Sequence, residues 1–368
     1  MDDIYCFFAV KLRFMVVTTA FNVSLVKHSK LEHISLQNVP FGKYFTDHML
    51  EVDFENGEWQ TPHISAYHPL QMDPSSAVLH YGQAIFEGIK AYKDSDGNPQ
   101  IFRPYDNFCR FNISAERMQM PVVPEEIFMQ GLRMLIEIEK NWIPDLPNHS
   151  LYIRPFMISS DAAIGVKPAE KYKFMIILSP TGPYYATPMR IYVEEKYVRA
   201  VPGGIGFAKA AGNYAAAMYP SAEAHKKGFD QVLWMDAVEH RYVQECGTMN
   251  IFFIIGNTVV TPSLEEGTIL AGVTRDSVIT ILEEMGFAIE ERPISIDEIV
   301  SAYKSGELKE VFGTGTAATI ALIKELSYKG FEMKFDVHSW LTAPGITRQL
   351  DAIKYGLAAD THGWMYKV

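Results

Sequence analysis

Gly203-Gly-Ile-Gly-Phe-Ala-Lys209-Ala-Ala-Gly-Asn213-Tyr214-Ala-Ala-Ala217 places one lysine in a run of glycines and alanines. Small neighbours let a flat ring approach the backbone closely, and glycines allow the turns that such an approach needs. A lysine meant for solvent requires no such clearing. Desolvation among small apolar residues lowers an ammonium pKa from its reference of about 10.4, as a lysine that forms a Schiff base requires. The plainer reading is an exposed lysine before a helix, and this segment alone leaves both open.

Downstream, Tyr242-Val-Gln-Glu245-Cys-Gly-Thr248-Met-Asn250 leads into the apolar run Ile251–Ile255. A glutamate beside apolar residues at a strand edge is costly unless a cation meets it. A protonated ring nitrogen is one such cation. At ~4 Å and an effective dielectric near 20 the pair is worth about 4 kcal/mol. The alternative is an ordinary ion pair with a lysine or arginine. Two glycine-bearing turns could hold a phosphate. Leu270-Ala-Gly272-Val273-Thr274-Arg275-Asp276 opens a helix, whose first N–H groups attract anions. Val311-Phe-Gly313-Thr314-Gly315-Thr316-Ala317 follows a strand-like run. Neither continues into the GK[ST] of a Walker loop.

Outward from these motifs, strand-like runs (47–54, 89–92, 100–102, 152–158 and 173–179) surround a helix expected over 125–142. Phe128, Leu132, Leu135 and Ile136 share one face of it after Pro124. The loop-like stretch 179–189 separates a small α/β domain (41–178) from a large one (190–368), after an N-terminal extension (1–40). In the second half a hairpin is expected, with 250–255 and 258–261 flanking Gly256-Asn257. Helices follow at 272–285, closed by Gly286, and at 295–304, where Ser295 and Glu298 are spaced as a capping box. Interspersed strands and helices predict α/β or α+β domains with a cleft between them.

A length of 368 residues exceeds one typical domain, and the net charge of −11 lacks the basic face that nucleic-acid binding needs. Cys6, Cys109 and Cys246 form no CxxC pair, which suits a reducing cytoplasm. Histidine pairs such as His28/His33 and His63/His68 have no metal-binding companions, so no metal is expected. The apolar start, Ile4 to Val26, is interrupted by Lys11 and Arg13 and preceded by Asp2-Asp3. It fits neither a signal peptide nor a membrane helix. An irregular extension is expected, with Met15 as an alternative start.

Together, the lysine, the glutamate and the two Gly/Thr turns resemble the fold-type-IV pyridoxal-phosphate enzymes. Finer matches make the chain similar to the branched-chain aminotransferases from about Phe41 onward. They are Phe41-Gly-Lys-Tyr-Phe-Thr-Asp-His-Met-Leu50, His80-Tyr81-Gly-Gln-Ala-Ile-Phe86-Glu87-Gly88-Ile-Lys-Ala91, Phe102-Arg-Pro-Tyr-Asp-Asn-Phe-Cys-Arg110, Leu151-Tyr152-Ile-Arg154-Pro155 and Phe312-Gly-Thr-Gly-Thr316-Ala317. The resemblance implies that Lys209 carries pyridoxal phosphate and moves the substrate's α-proton. Glu245 would meet the ring nitrogen and Tyr214 the phenolic oxygen, with Arg199 near Tyr214. Arg110, the backbone at Val273 and Thr274, and Thr316 would hold the phosphate. Tyr81, with backbone N–H groups near Thr248 and Ala317, would grip the substrate carboxylate. Phe41, Phe86, Tyr152 and Tyr184 would shape an apolar pocket with Arg154 at its edge. The implied substrates are branched-chain amino acids and 2-oxo acids, and the implied unit is a homodimer whose clefts are completed by the partner's small domain. Ala318 and Ala321 stand where mammalian relatives carry a redox CxxC, so that switch is absent. D-amino-acid aminotransferases and aminodeoxychorismate lyases would share Lys209 and Glu245, but the long first segment weighs against them. A non-catalytic phosphate-binding protein is the remaining alternative.

Overall fold

The computed structural model of the chain describes residues 20–184 and 187–368, and two sheets organise them. At the centre of the first, ten-stranded sheet, Ser150–Ser159 and Tyr172–Thr181 pair antiparallel over their whole length. His48–Glu55 flanks one side of this pair, and Ala84–Phe86 with Ile89–Lys93 flanks the other. The second sheet, of nine strands, is mixed. Met189–Val193 runs parallel to both neighbours, whereas Leu308–Gly315 runs antiparallel to both of its own. Two mixed layers with helices packed on them make the α/β (α+β) arrangement expected from the interspersed patterns.

The helical periodicity reads correctly. Phe128, Leu132, Leu135 and Ile136 are all fully buried against the first sheet, although the helix starts with a π turn over Glu126–Gln130 before Gly131–Ile138. The hairpin is present in the expected register, Ile255↔Thr258, with Gly256 at φ +58° supplying the turn's left-handed residue. Ser295 caps Ile296–Lys304 by accepting from Glu298 N at 3.1 Å. The box does not close, because the Glu298 carboxylate turns to Arg292 at 2.6 Å. A full cation outcompetes a backbone N–H.

Three expectations need correction. Ser179–Thr181 belong to a strand, since Thr181 pairs with Ser150, and Met189 already starts the next one. The connection is therefore 182–188, two of whose residues lie outside the described ones. Not all of 190–368 serves the second sheet. Met365–Lys367 pairs antiparallel with Pro99–Phe102, covering an edge of the first sheet while Trp364 packs edge-on to Phe102. Residues 20–38 are more than an irregular extension. Asn22–Val23 adds a parallel strand beside His63–Ala66. The Asp47 carboxylate anchors the rest by accepting from Ser29 Oγ, Lys30 N and Trp142 Nε1, and His48 Nε2 accepts from Val26 N. Residues 1–19, with most of the apolar start and Met15, lie outside the described residues.

One proline positions the site. Pro155 occupies a central strand, where a missing N–H normally breaks the ladder. In an antiparallel strand a residue's N–H and C=O face the same neighbour. Pro155 O accepts from Glu87 N at 2.8 Å, so its missing donor falls where Ala84–Phe86 ends and Ile89–Lys93 begins. Glu87 and Gly88 leave the ladder there, and their side of the sheet opens into a cavity.

Candidate active site

Lys209 lies on an extended segment held by Ser114 Oγ, which accepts its N–H at 2.9 Å, and by Phe86 N, which donates to its carbonyl at 3.1 Å. Ala208 and Ala210 are buried in the first core. Alternation along an extended chain turns Lys209 the opposite way, into a cavity of about 370 Å³. There its Nζ donates to Tyr214 Oη at 3.0 Å and sits 5.1 Å from the centre of the Phe86 ring. Tyr214 lies in the first turn of helix Ala211–Lys226, whose entry is fixed by Asn213 Nδ2 donating to the carbonyls of Ile205 and Ala208.

Glu245 reaches the same cavity and is 3 % exposed. Its carboxylate accepts from Arg199 Nη2 at 2.7 Å, Leu270 N at 3.1 Å and Asn250 Nδ2 at 3.3 Å. Burial nevertheless wins over these partners and lifts its pKa above the usual glutamate value. The alternative of an arginine partner is thus met in part, yet the pair is buried and the carboxylate remains short of positive charge. Arg199, expected near Tyr214, lines one adjoining recess with it. Its guanidinium pairs with Glu245, and Nη2 also donates to Thr268 O.

The opposite wall carries the anion-binding features. Helix Val273–Glu284 starts at the cavity with Gly272 as its cap. A Cβ on Gly272 would stand 2.1 Å from Asn250 Oδ1, so only glycine lets that turn close. Val273, Thr274, Thr316 and Arg110 all line this side. Arg110 is held bidentate by Glu87, with Nε and Nη2 both at 2.8 Å, and its Nη1 donates to Ala271 O at 2.7 Å. Burial opposes ionisation of Glu87, but the Arg110 charge and hydrogen bonds, with Lys209 and Asn107, hold its pKa below the ordinary range.

The third wall is aromatic. Phe41 packs edge-on to Tyr152 at 4.8 Å and to Tyr184 at 5.0 Å. Gly88 lies beneath Tyr152, whose hydroxyl would meet a Cβ at 2.3 Å. The Arg154 guanidinium lies 4.5 Å from the Phe86 ring centre, and Nη2 donates to Tyr152 Oη at 2.8 Å. No carboxylate among the described residues forms an ion pair with Arg154, and its Nε is buried without a partner. Thr248 and Ala317 complete the lining.

Fourteen of the sixteen expected residues therefore line this cavity and Arg199 lies behind it, whereas Tyr81 is not brought in. Tyr81 ends the short helix Ala77–Tyr81 and is 41 % exposed. Sequence reasoning overlooked Glu87, Asn107, Ser114 and Asn250. Glu87 had a signal, a lone charge between two apolar strand pieces. Among the described residues no three histidine, cysteine or acidic side chains gather to hold a metal, and no helix is long and apolar enough to cross a membrane.

An amine, a buried carboxylate short of positive charge, and a helix N-terminus open onto one cavity, as does the buried Thr314 hydroxyl, which has no partner among the described residues. These features fit a flat cofactor with a phosphate tail. A profile of the family amino-transferase class IV matches residues 84–326. The branched-chain-amino-acid transaminase 1 of Bacillus subtilis is 52 % identical over 295 residues, 79 % of this chain and 83 % of its own. Among solved structures, the Escherichia coli branched-chain amino acid aminotransferase superposes with a TM-score of 0.72 at 26 % identity, covering 87 % of this chain and 99 % of its own. The T.th. enzyme of the same name, solved with 4-methylvaleric acid, gives 0.69 at 26 %, covering 86 % and 98 %. It has also been solved with N-(5′-phosphopyridoxyl)-L-glutamate. By sequence, fold and cavity chemistry, this chain belongs to the branched-chain-amino-acid aminotransferases of class IV, which use pyridoxal phosphate.

Proposed function

We propose that the protein moves the amino group of leucine, isoleucine or valine to 2-oxoglutarate, in two half-reactions with ping-pong kinetics. The observation that carries this reading is Arg154. Among the described residues it is a cation with no acid paired to it, resting on the aromatic rings that form one wall of the cavity. A buried, permanently unpaired cation would penalise leucine. Rings that stack on the guanidinium keep it tolerable beside an aliphatic chain, and its free edge can fork onto glutamate's second carboxylate.

Pyridoxal phosphate, when bound, supplies an electron-withdrawing ring that stabilises negative charge at the substrate's α-carbon. The chain's own residues do the rest. Lys209 holds the cofactor and carries the α-proton. Glu245 keeps a proton on the ring nitrogen, and Tyr214 binds the phenolic oxygen. Arg110, Thr316 and the N–H groups of Val273 and Thr274 take the phosphate, and backbone N–H groups near Thr248 and Ala317 take the substrate carboxylate. Phe41, Phe86, Tyr152 and Tyr184 exclude water from the aliphatic side chain. Tyr81, exposed in one chain, serves the partner's cavity in a homodimer. The division into a small domain from about 41 and a large one from about 190 belongs to the same reading, as does a cytoplasmic location.

Lys209→Ala tests it. The variant should fold but lose transamination of leucine with 2-oxoglutarate, and borohydride reduction of the wild type should leave the cofactor's mass on Lys209. Turnover of D-alanine in place of leucine, or an adduct on another lysine, would sink the assignment.

A further inference from the structure

Two lysines brace one turn of the cavity from behind. Gly315 and Thr319 face each other where Leu308–Gly315 turns into Thr319–Tyr328, and Thr316, Ala317 and Ala318 between them line the cavity. Lys90, on strand Ile89–Lys93 of the first sheet, reaches across to the second half of the chain, where its Nζ donates to Ala317 O at 2.7 Å. Lys354, near the end of helix Thr342–Lys354, donates to Thr319 Oγ1 at 3.4 Å. Its ammonium lies 4.8 Å from the Phe102 ring centre and 5.9 Å from that of Tyr92.

The turn needs bracing. Thr319 has φ +61°, a left-handed conformation that a β-branched residue keeps only when its surroundings impose it. The Lys90 contact also has a direction. A trans peptide points its C=O and the following N–H oppositely. With Ala317 O turned toward Lys90, the Ala318 N–H points away from it. Neither the Ala317 nor the Ala318 N–H donates to another described residue. The setting is interior: burial lowers Lys90 to about 7 and Lys354 to about 8, with Asp351 the one acid acting on both. A hydrogen bond there is stronger than in water, and an uncharged amine still donates it.

We propose that Lys90 is a positioning residue for the substrate carboxylate. By holding Ala317 O it aims the Ala318 N–H at the carboxylate bound in the cavity, while Lys354 fixes the far end of the turn. This rests on the reading that branched aliphatic acids enter this cavity. It explains why a lysine of the first sheet reaches across to a backbone carbonyl of the second.

The test uses the holoenzyme and two ligands without an amino group, 4-methylvalerate and its neutral amide, 4-methylvaleramide. Calorimetric titration should show Lys90→Met binding the acid roughly ten- to hundredfold more weakly, the loss of one hydrogen bond to a charged group. Binding of the amide and the cofactor's absorption spectrum should stay unchanged. The KM for leucine should rise while the saturated single-turnover rate holds. Should Lys90→Met not fold, Lys90→Gln, one atom too short to reach Ala317, should show the same selective loss. A variant that binds the acid as tightly as wild type, or loses acid and amide alike, overturns the assignment. Wild-type enzyme that binds neither overturns the reading of the cavity itself, and the role of Lys90 with it.

Discussion

Two buried glutamate–arginine pairs flank the cavity, and they are tuned in opposite directions. Glu87 takes two parallel bonds from Arg110 and others from Asn107 Nδ2 at 2.8 Å and Gly88 N at 3.1 Å. Glu245 takes one contact from Arg199 and two longer ones from Leu270 N and Asn250. Both carboxylates are almost fully buried. Yet Glu87 is held below the ordinary glutamate pKa and Glu245 is lifted above it. Burial costs a carboxylate several kcal/mol, and only a full set of donors offsets it. The lesson is that a buried ion pair is not one kind of object. Glu87 is complete within the chain, whereas Glu245 still lacks positive charge on the side facing the cavity.

If that contrast is right, the two glutamates fail differently when neutralised. Glu245→Gln keeps the shape but removes the charge that would hold a ring proton. A pair worth about 4 kcal/mol, at 1.36 kcal/mol per decade, predicts a roughly thousandfold fall in turnover with cofactor still bound. Glu87→Gln should act on the fold instead. Stripping one partner from a completed buried pair costs about 3–5 kcal/mol, readable as a lower denaturation midpoint, with lesser damage to the turnover of molecules that remain folded. Exchanged outcomes, with stability lost at Glu245 and turnover at Glu87, would break the comparison.

The same contrast marks what the sequence let us read. Lys209, Glu245, the helix start at Val273 and the aromatic wall stood in local patterns: small-residue spacing, a charge beside an apolar strand, a glycine before a helix. The Gly256-Asn257 hairpin was legible for the same reason. Glu87 stands inside a motif but nothing local marks its role, because its partner lies 23 residues away and its exit from the ladder depends on Pro155 of another strand. The Arg199–Glu245 pair spans two elements and was equally invisible. The anchoring of residues 20–38 turns on Asp47, which reads locally as an ordinary strand residue. Periodicity reports which face of an element is buried, and says nothing of which buried charge meets which.

Arg154 extends the comparison to an arginine that pairs with no acid among the described residues. Aromatic faces replace the carboxylate, so the guanidinium keeps its capacity for one. Arg154→Gln should raise the KM for glutamate and 2-oxoglutarate roughly ten- to hundredfold, the loss of about 1.5–3 kcal/mol for a hydrogen bond to a charged group. Leucine should be nearly unaffected. Half-reaction kinetics measures each substrate separately, and equal damage to both would assign Arg154 to the scaffold.

The smallest effect is the most direct reading of the contrast, namely the pH dependence of stability in protein freed of cofactor. Glu87, with its pKa depressed on folding, adds stability above the ordinary value of 4.5, lost as pH falls through its folded pKa. Glu245, with its pKa raised, has the opposite sign: its contribution is complete below 4.5 and lost as pH rises through its folded pKa. Relative to wild type, Glu87→Gln should therefore be weakest at neutral pH and close the gap in acid. Glu245→Gln should be at its least favourable in acid and gain on wild type as pH rises above 4.5. Denaturation midpoints taken between about pH 2 and 8 would separate the two curves. Adding pyridoxal phosphate should then abolish the advantage of Glu245→Gln at neutral pH, because a cation has reached the ionised carboxylate. Curves that run parallel to wild type, with and without cofactor, would mean that Glu245 is as complete within the chain as Glu87.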